Sequence, residues 1–228
     1  MTRLALIHTV GALAPVFSDL AGELLPGVDT TSTVDEALLG ETIEAGRIQP
    51  ATAERLERHV RTELDAGADL VLVTCSSVGP AVESIAVGTG WPLLRIDEAM
   101  ADRAIELGDR IGVLATLSTT LEPTADLNRR RAAAHGHDRS IEISAVVVEG
   151  AFTALKAGSL DAHDRLVREA LIGMIPTVDV VVLAQASMAR VAATLPADVA
   201  ASRPILSSPR LAIERVADRL AGRVDATD

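Results

Sequence analysis

Short apolar runs, rich in β-branched residues, alternate along the chain with longer stretches in which apolar residues recur at helical spacing. Apolar side chains at consecutive positions are typical of parallel strands that are buried on both faces. Such runs predict strands at Leu4–His8, Asp69–Thr74, Leu93–Ile96, Ile111–Ala115, Ile141–Val148, Val178–Ala184 and Ile205–Leu206. The helical spacing predicts helices at Ala51–Ala66, Ala99–Leu107, Ala125–Ala134, Asp161–Ile172 and Pro209–Leu220. This alternation predicts an α/β fold with mostly parallel sheets.

The chain also contains an internal repeat. Four segments recur in the same order: those beginning at Arg3, Val34, Asp69 and Trp91 match those beginning at Arg110, Val148, Asp179 and Arg203. The repeat predicts two similar α/β halves related by pseudo-two-fold symmetry, residues 1–97 and 98–204, with the segment 205–228 returning to the first half. Ligands of open parallel sheets bind beyond the carboxyl ends of the strands. We therefore expect an active-site cleft between the halves.

Composition narrows the function classes. Among 228 residues, Lys plus Arg number 21 and Asp plus Glu number 32, so the formal net charge is −11. An acidic chain lacks the positive surface that nucleic acid requires. No apolar run reaches the roughly 18 residues that span a bilayer, and the first 15 residues show no clear signal-peptide cleavage site. We expect a cytoplasmic protein with neither nucleic-acid nor membrane partners.

The single cysteine is the main candidate for chemistry. One cysteine excludes an internal disulfide and a cysteine-rich zinc site. Cys75 directly follows a predicted strand and precedes Ser76 and Ser77, at a turn whose backbone N–H groups favour a thiolate and a bound carboxylate. A buried structural thiol is the alternative interpretation. The position at a strand end, beside small hydroxyl residues, favours a functional thiol.

The matching strand end of the second half carries Gln185, whose amide can donate a hydrogen bond to a carboxylate or a developing enolate oxygen. Ser187 in the same turn either binds a carboxylate or caps the next helix. His8 ends the first strand, where it either orients or protonates a substrate or serves as a structural group. Thr9 and Thr116 are expected on the same side as Cys75 and Gln185.

Other sequence motifs point away from cofactors. The run His135–Asp138 has the residue types of metal ligands but lies in a polar loop without a partner motif, so we predict no metal site. No dinucleotide-binding glycine motif, phosphate-binding loop or nucleophile elbow occurs in the sequence. We expect no cofactor.

Three segments resemble the Asp/Glu/hydantoin racemase superfamily: Thr74–Ser77 after LVLV, Ala115–Thr120 after a strand, and the LAQASM turn. The resemblance covers nearly the whole chain. It implies a cofactor-independent enzyme, without pyridoxal phosphate, in which two cysteines face a substrate α-carbon from opposite sides. One removes a proton and the other returns one.

The resemblance further implies that Thr116 and Thr119 bind a substrate carboxylate, with Ser76 and Ser77 as similar candidates. The alternative for the hydroxyl-rich segment is a turn that caps the predicted helix from Ala125.

The sequence departs from this pattern at one position. Cys75 matches the first cysteine, whereas the second is replaced by Gln185, and an amide cannot act as acid or base. The departure argues against a symmetric two-thiol racemase. The chain resembles one-cysteine relatives of the arylmalonate-decarboxylase type, although they retain the cysteine of the other half. Maleate-isomerase-like relatives use a cysteine as nucleophile.

These observations leave three hypotheses. The first is an enzyme that acts on a small carboxylic acid through a carbanion-like or enolate-like intermediate, with Cys75 as acid and base; the outcome is racemisation, isomerisation, decarboxylation or lyase chemistry. The second is a hydrolase or isomerase in which Cys75 is a nucleophile and His8 its base. The third is a non-catalytic protein that binds a small acid. Substrate identity stays open, and a homodimer is expected only from base rates.

Overall fold

The structure is a computed structural model that describes residues 1–134 and 140–222. It contains two four-stranded parallel sheets flanked by helices, so the predicted α/β fold class is confirmed. The chain divides into two compact units, Met1–Glu98 with the chain from Pro209 onward, and Ala99–Ser208. The His135–Asp138 run lies outside the described residues. Within the described ranges, no helix is long and apolar enough to span a membrane.

The first unit is built around a sheet with the strand order β2-β1-β3-β4. Its strands are β1 (Arg3–His8), β2 (Asp29–Val34), β3 (Leu70–Val73) and β4 (Leu93–Arg95). The helices that begin in its N-terminal segment are α1 (Ala14–Leu24), α2 (Glu36–Ala45), α3 (Pro50–Asp65), α4 (Gly79–Thr89) and α5 (Glu98–Leu107), of which α5 runs on into the second unit.

The second unit has the equivalent strand order, β6-β5-β7-β8. Its strands are β5 (Arg110–Ala115), β6 (Glu142–Val147), β7 (Val180–Leu183) and β8 (Ile205–Ser207). The remaining helices are α6 (Ser118–Ala134), α7 (Ala151–Lys156), α8 (Leu160–Met174), α9 (Ala189–Ala192), α10 (Ala197–Ala200) and α11 (Ser208–Leu220), the last of which extends into the first unit.

Helices cover both faces of the first sheet, which explains why its strands are apolar at consecutive positions. On one face, Leu4, Leu6 and Leu72 pack with Phe17 of α1 and Ile213 of α11. The opposite face packs with α2, α3 and α4 through Ile7, Val71, Val73, Leu38, Leu56, Val60 and Ile85. The central strands β1 and β3 are therefore buried from Leu4 to His8 and from Leu70 to Val73, and their carboxyl ends lie at fixed places.

The observed elements differ from the predicted ones in several respects. Helices α1, α2, α4, α7, α9 and α10 were not among the predicted ranges. Strand β2 was not predicted, because its sequence DTTSTV is polar and the strand lies at the sheet edge, where it is at most half-buried. Helix α6 begins at Ser118, seven residues before the predicted start at Ala125. The segment 205–207 pairs with Val181–Leu183, so the return to the first unit begins at Pro209 and not at residue 205.

Candidate functional site

Parallel pairing brings the carboxyl ends of the two central strands of each sheet side by side. In the first unit, β1 pairs with β3 and the Thr74 N–H donates to the Ile7 carbonyl at 2.9 Å. In the second unit, β5 pairs with β7 and the Ala184 N–H donates to the Leu114 carbonyl, also at 2.9 Å. The residues that follow, Thr9 and Cys75 in one unit and Thr116 and Gln185 in the other, thus lie at equivalent edges.

Cys75 is the N-cap residue of a 3₁₀ turn that covers Ser76–Val78 and leads into α4. Its backbone is extended (φ −140°, ψ 117°), and its side chain makes no N-cap hydrogen bond, so the backbone N–H groups of Ser77 and Val78 act on the thiol only by lowering its pKa. The hydroxyls of Thr9 and Ser77 form hydrogen bonds with the sulfur. The structure therefore brings Thr9 and Ser77 together with Cys75, and Ser76 lies buried in the same turn.

Burial and the neighbouring polar groups shift the pKa of Cys75 in opposite directions. The Cys75 side chain lies inside the protein, and burial raises the pKa of the thiol, while the four donors from Thr9, Ser77 and Val78 lower it. Burial is the larger effect, so the pKa lies above its ordinary value. The resting group is a thiol, and the turn does not by itself produce the thiolate that the sequence suggested.

His8 is buried and has partners other than Cys75. Thr74 Oγ1 donates to the Ile7 carbonyl (3.2 Å), so His8 Nδ1–H donates to Thr74 Oγ1 (2.8 Å) and Nε2 accepts from Ser32 Oγ (3.3 Å). The ring also packs against Phe17, with centroids 5.5 Å apart. Burial lowers the pKa of His8, which keeps the ring neutral. Both ring nitrogens are thus engaged in structural hydrogen bonds.

Gln185 occupies the equivalent N-cap position in the second unit, before the 3₁₀ turn Ala186–Met188. Its Oε1 accepts two hydrogen bonds from Thr116, one from the backbone N–H (2.5 Å) and one from the hydroxyl (2.9 Å). With Oε1 fixed in this way, Nε2 is the end of the amide that can donate to a ligand. Ser187 lies half-buried in the same turn, whereas its counterpart Ser77 in the first unit is buried.

Thr119 lies in the first turn of α6 and is buried. Its Oγ1 has no hydrogen-bond partner within the described parts of the chain. A buried hydroxyl without a partner costs free energy unless a ligand or water supplies one. The segment after β5 is helical from Ser118, so it is not a turn that caps a helix from Ala125, and the binding of a carboxylate by Thr119 stays a prediction.

Sequence reasoning missed one group beside this site. The guanidinium of Arg95, at the end of β4, lies against Gly79 at the start of α4, four residues after Cys75. No motif signals this contact, since it joins a strand end and a helix start that only the folded sheet brings together. Among the described residues, no group of three His, Cys, Asp or Glu side chains could hold a metal ion.

These features define a class of protein: a duplicated α/β protein with a thiol at one central strand end and an amide at the matching end. The family model of Asp/Glu/Hydantoin racemase matches residues 14–216. The chain therefore belongs to the Asp/Glu/hydantoin racemase family, and the resemblance noted in the sequence is confirmed. No curated protein matches the sequence.

Solved structures of racemases share the fold. Allantoin racemase from Klebsiella pneumoniae is 18% identical, with a TM-score of 0.69 over 100% of this chain and 91% of that one. A glutamate racemase from Bacillus anthracis is 12% identical, with a TM-score of 0.70 over 99% and 85%. Aspartate racemase of Picrophilus torridus is 13% identical, with a TM-score of 0.66 over 97% and 95%. At these identities the similarity shows the fold alone.

Proposed function

We propose that this protein is a cofactor-independent enzyme of the racemase and isomerase type, acting on a small carboxylic acid, in which Cys75 alone transfers the proton at the α-carbon. The observation that carries the proposal is that the N-cap position after the central strand holds a titratable thiol, Cys75, in the first unit and a non-titratable amide, Gln185, at the equivalent position of the second unit. Membership of the racemase family supports it.

In α-proton exchange, the Cys75 thiolate removes the α-proton of the substrate and becomes a thiol. The electron pair of the broken C–H bond passes into the substrate carboxylate, which gives an enolate. Hydrogen bonds from a preorganised donor stabilise such developing charge by about 3–4 kcal/mol in other enzymes. We assign this donation to Gln185 Nε2, and carboxylate binding to Thr119 and Ser187. Return of the proton from Cys75 restores the same face, because no thiol stands at Gln185.

A second candidate, decarboxylation, is favoured by the raised pKa of Cys75. In that reaction the bond between the α-carbon and a carboxylate carbon breaks. The carboxylate leaves as carbon dioxide, and the electron pair of the broken bond stays on the α-carbon. The Cys75 thiol then delivers its proton to that carbon and regains one from water. Because Cys75 rests as a thiol, it can donate this proton without first having to ionise.

The hydrolase hypothesis has less support, because a nucleophilic cysteine requires a base within hydrogen-bond reach. Both ring nitrogens of His8 are bonded to Thr74 and Ser32. The hypothesis of a non-catalytic binding protein makes a different prediction from the enzyme proposal, namely tight binding of a small acid without turnover. That a single substrate contacts both strand-end sites stays a prediction, as do the cytoplasmic location and the homodimer.

The test is proton NMR in D₂O with a panel of aspartate, glutamate, hydantoins, malonates, maleate and hydroxy acids. The wild-type protein should remove an α-proton signal or form a decarboxylated product. Cys75→Ser, which retains a small hydroxyl at the position, should lower the rate by at least about 10²-fold, the usual contribution of a positioned acid or base. An unchanged rate in folded Cys75→Ser would reject the role of Cys75. Binding without any reaction across the panel would favour the binding protein.

A further inference from the structure

The strand beside Cys75 carries a buried arginine. Arg95 is 3% exposed, and its Nε and Nη2 donate to the two carboxylate oxygens of Asp97 at 2.7 and 2.9 Å. Its Nη1 lies 3.1 Å from Glu83 Oε1, on α4. Burial of a guanidinium is costly without such pairing, and paired carboxylates raise the pKa of Arg95. We refer to Arg95, Asp97 and Glu83 as the Arg95 cluster.

The flat face of this guanidinium lies against Gly79. A Cβ added to Gly79 would stand 2.5 Å from Arg95 Cζ and Nη2 and 2.8 Å from Nε, which is too close for any side chain. Gly79 has an ordinary helical backbone (φ −51°, ψ −42°), so its conformation does not require glycine. Glycine is required here only by the close approach of Arg95.

Gly79 directly follows the turn that influences the cysteine. Its N–H donates to the Ser76 carbonyl, and the preceding residues Ser77 and Val78 supply the N–H groups that lower the pKa of Cys75. The Arg95 cluster therefore sets how closely the turn approaches β4. Since the cluster has one positive and two negative groups, its net charge does not favour a thiolate, and any influence on Cys75 acts through position.

The second unit has different residue types at the equivalent places. By the repeat register that matches Asp69 with Asp179 and Trp91 with Arg203, Gly79 corresponds to Ala189 and Arg95 to Ser207. At these two positions the second unit has neither the guanidinium nor the glycine that admits it. The contact between Arg95 and Gly79 thus accompanies the titratable cysteine and is not a general feature of the repeat.

We infer that Arg95 is a positioning residue, which through its contact with Gly79 holds the turn Ser76–Val78, and with it the Ser77 and Val78 N–H groups, near the sulfur of Cys75. This inference rests on the proposed role of Cys75 in proton transfer. Displacement of the guanidinium moves the turn away from the sulfur, and the thiolate then loses favourable interactions with these N–H groups that it needs more than the thiol does.

The test compares two substitutions in the same helix, Gly79→Ala and Gly88→Ala. Alanine favours a helix over glycine by about 1 kcal/mol at either place. Nothing lies within 4 Å of a Cβ at Gly88, so only Gly79→Ala must displace Arg95. The readout is the rate of iodoacetamide reaction at fixed pH, which reports one site because the chain has a single cysteine.

We expect alkylation to slow roughly three- to tenfold in Gly79→Ala. Losing an interaction with the thiolate about as strong as one hydrogen bond raises the thiol pKa by about one unit, and the accompanying rise in nucleophilicity compensates in part. Gly88→Ala should react at the wild-type rate. If Gly79→Ala only loosened the fold, the alkylation rate would rise, because opening a buried thiol speeds its alkylation.

Arg95→Lys supplies a second test that keeps the charge but removes the planar group and its paired hydrogen bonds. Arg95→Lys should also slow alkylation, as Gly79→Ala does. A thermal unfolding transition is the control that the variant is folded. Wild-type or faster alkylation in folded Gly79→Ala and Arg95→Lys would overturn the inference. Because alkylation needs no substrate, this outcome is distinct from failure of the proposed enzyme, which Cys75→Ser tests by exchange.

Discussion

Cys75 and Gln185 stand at equivalent N-cap positions in the two repeats, yet only the thiol can gain or lose a proton. Each is bonded to a threonine after the neighbouring strand, Thr9 in the first unit and Thr116 in the second. The two repeats therefore share a threonine partner at the strand end and differ in whether the N-cap side chain can titrate.

The raised pKa of Cys75 predicts the pH dependence of α-proton exchange. Exchange begins with the thiolate, and the pKa lies above the ordinary thiol value of about 8.5, so kcat/KM should still increase with pH between 8 and 9. Initial rates of deuterium incorporation across this range check the expectation. A plateau below pH 8 would show that the thiolate is already formed at neutral pH, contrary to burial as the larger influence.

Gln185→Cys restores a thiol at the second position and should change the stereochemical outcome. Under the proposed mechanism, the proton leaves and returns on one face of the substrate α-carbon, whereas a second thiol at position 185 would return it on the other face. We expect the variant to racemise the substrate that the wild type only exchanges. Chiral chromatography measures this, with Gln185→Ala as the control that loses the amide without adding an acid. Equal racemisation by Gln185→Ala and Gln185→Cys would contradict the explanation.

At the scale of elements, the amino ends of the central strands repeat as closely as the carboxyl ends. The backbone N–H of Arg3 donates to Asp69 at 2.8 Å, and that of Arg110 donates to Asp179 at 2.9 Å. In the second unit the guanidinium adds a further hydrogen bond to Asp179 Oδ1 at 2.7 Å. Each aspartate thus fixes where two neighbouring strands begin, which in turn fixes where they end.

The strand-start contact predicts an acid-dependent contribution to stability. Hydrogen bonds from Arg110 lower the pKa of Asp179 to about 2. A lowered pKa stabilises the folded state above the unfolded value near 3.9, and this contribution is lost as the pH falls toward 2. The Tm difference between wild type and Asp179→Asn should therefore be larger at pH 6 than at pH 3.

The matched control is Asp126→Asn, which removes an exposed i,i+4 ion pair with Arg130 on α6. Pairs of this kind contribute little to stability, so the control should leave Tm nearly unchanged at pH 6. A Tm difference for Asp179→Asn that does not depend on pH would contradict the assignment of the effect to the Asp179 carboxylate.

At the scale of the whole molecule, the core of the first unit is built from both ends of the sequence. The first unit is completed by α11, whose Ala212, Ile213 and Val216 pack with Leu4 and Phe17 from the other end of the sequence. The first unit therefore cannot bury its core until the last helix is in place. Its formation depends on contacts of long sequence separation.

Ile213→Ala tests this dependence, because the side chain is fully buried. Removal should lower the free energy of unfolding by about 2–5 kcal/mol. Hydrogen exchange should speed in β1, β3 and β4, against which α11 packs, more than in β5 to β8. Val87→Ala on α4, 88% exposed, is the control and should change stability by less than about 0.5 kcal/mol. Equal loss of protection in both sheets would contradict the division into two units.

The sequence alone determined the α/β class, the central strands and the duplication, because these follow from local patterns of apolar residues and from their order along the chain. Cys75 and Gln185 were identified in the same way, since each follows an apolar run. Strand β2 escaped prediction for the converse reason: an edge strand that is half-exposed has no need of an apolar pattern.

Tertiary structure alone decided what each polar group does. The sequence left His8 open as a base, and the fold engages both its nitrogens with Thr74 and Ser32. The approach of Arg95 to Gly79 is likewise absent from any motif. The physical reason is common to these cases: burial, hydrogen-bond partners and pKa depend on which distant residues share a strand end, and spacing along the chain does not encode those distances.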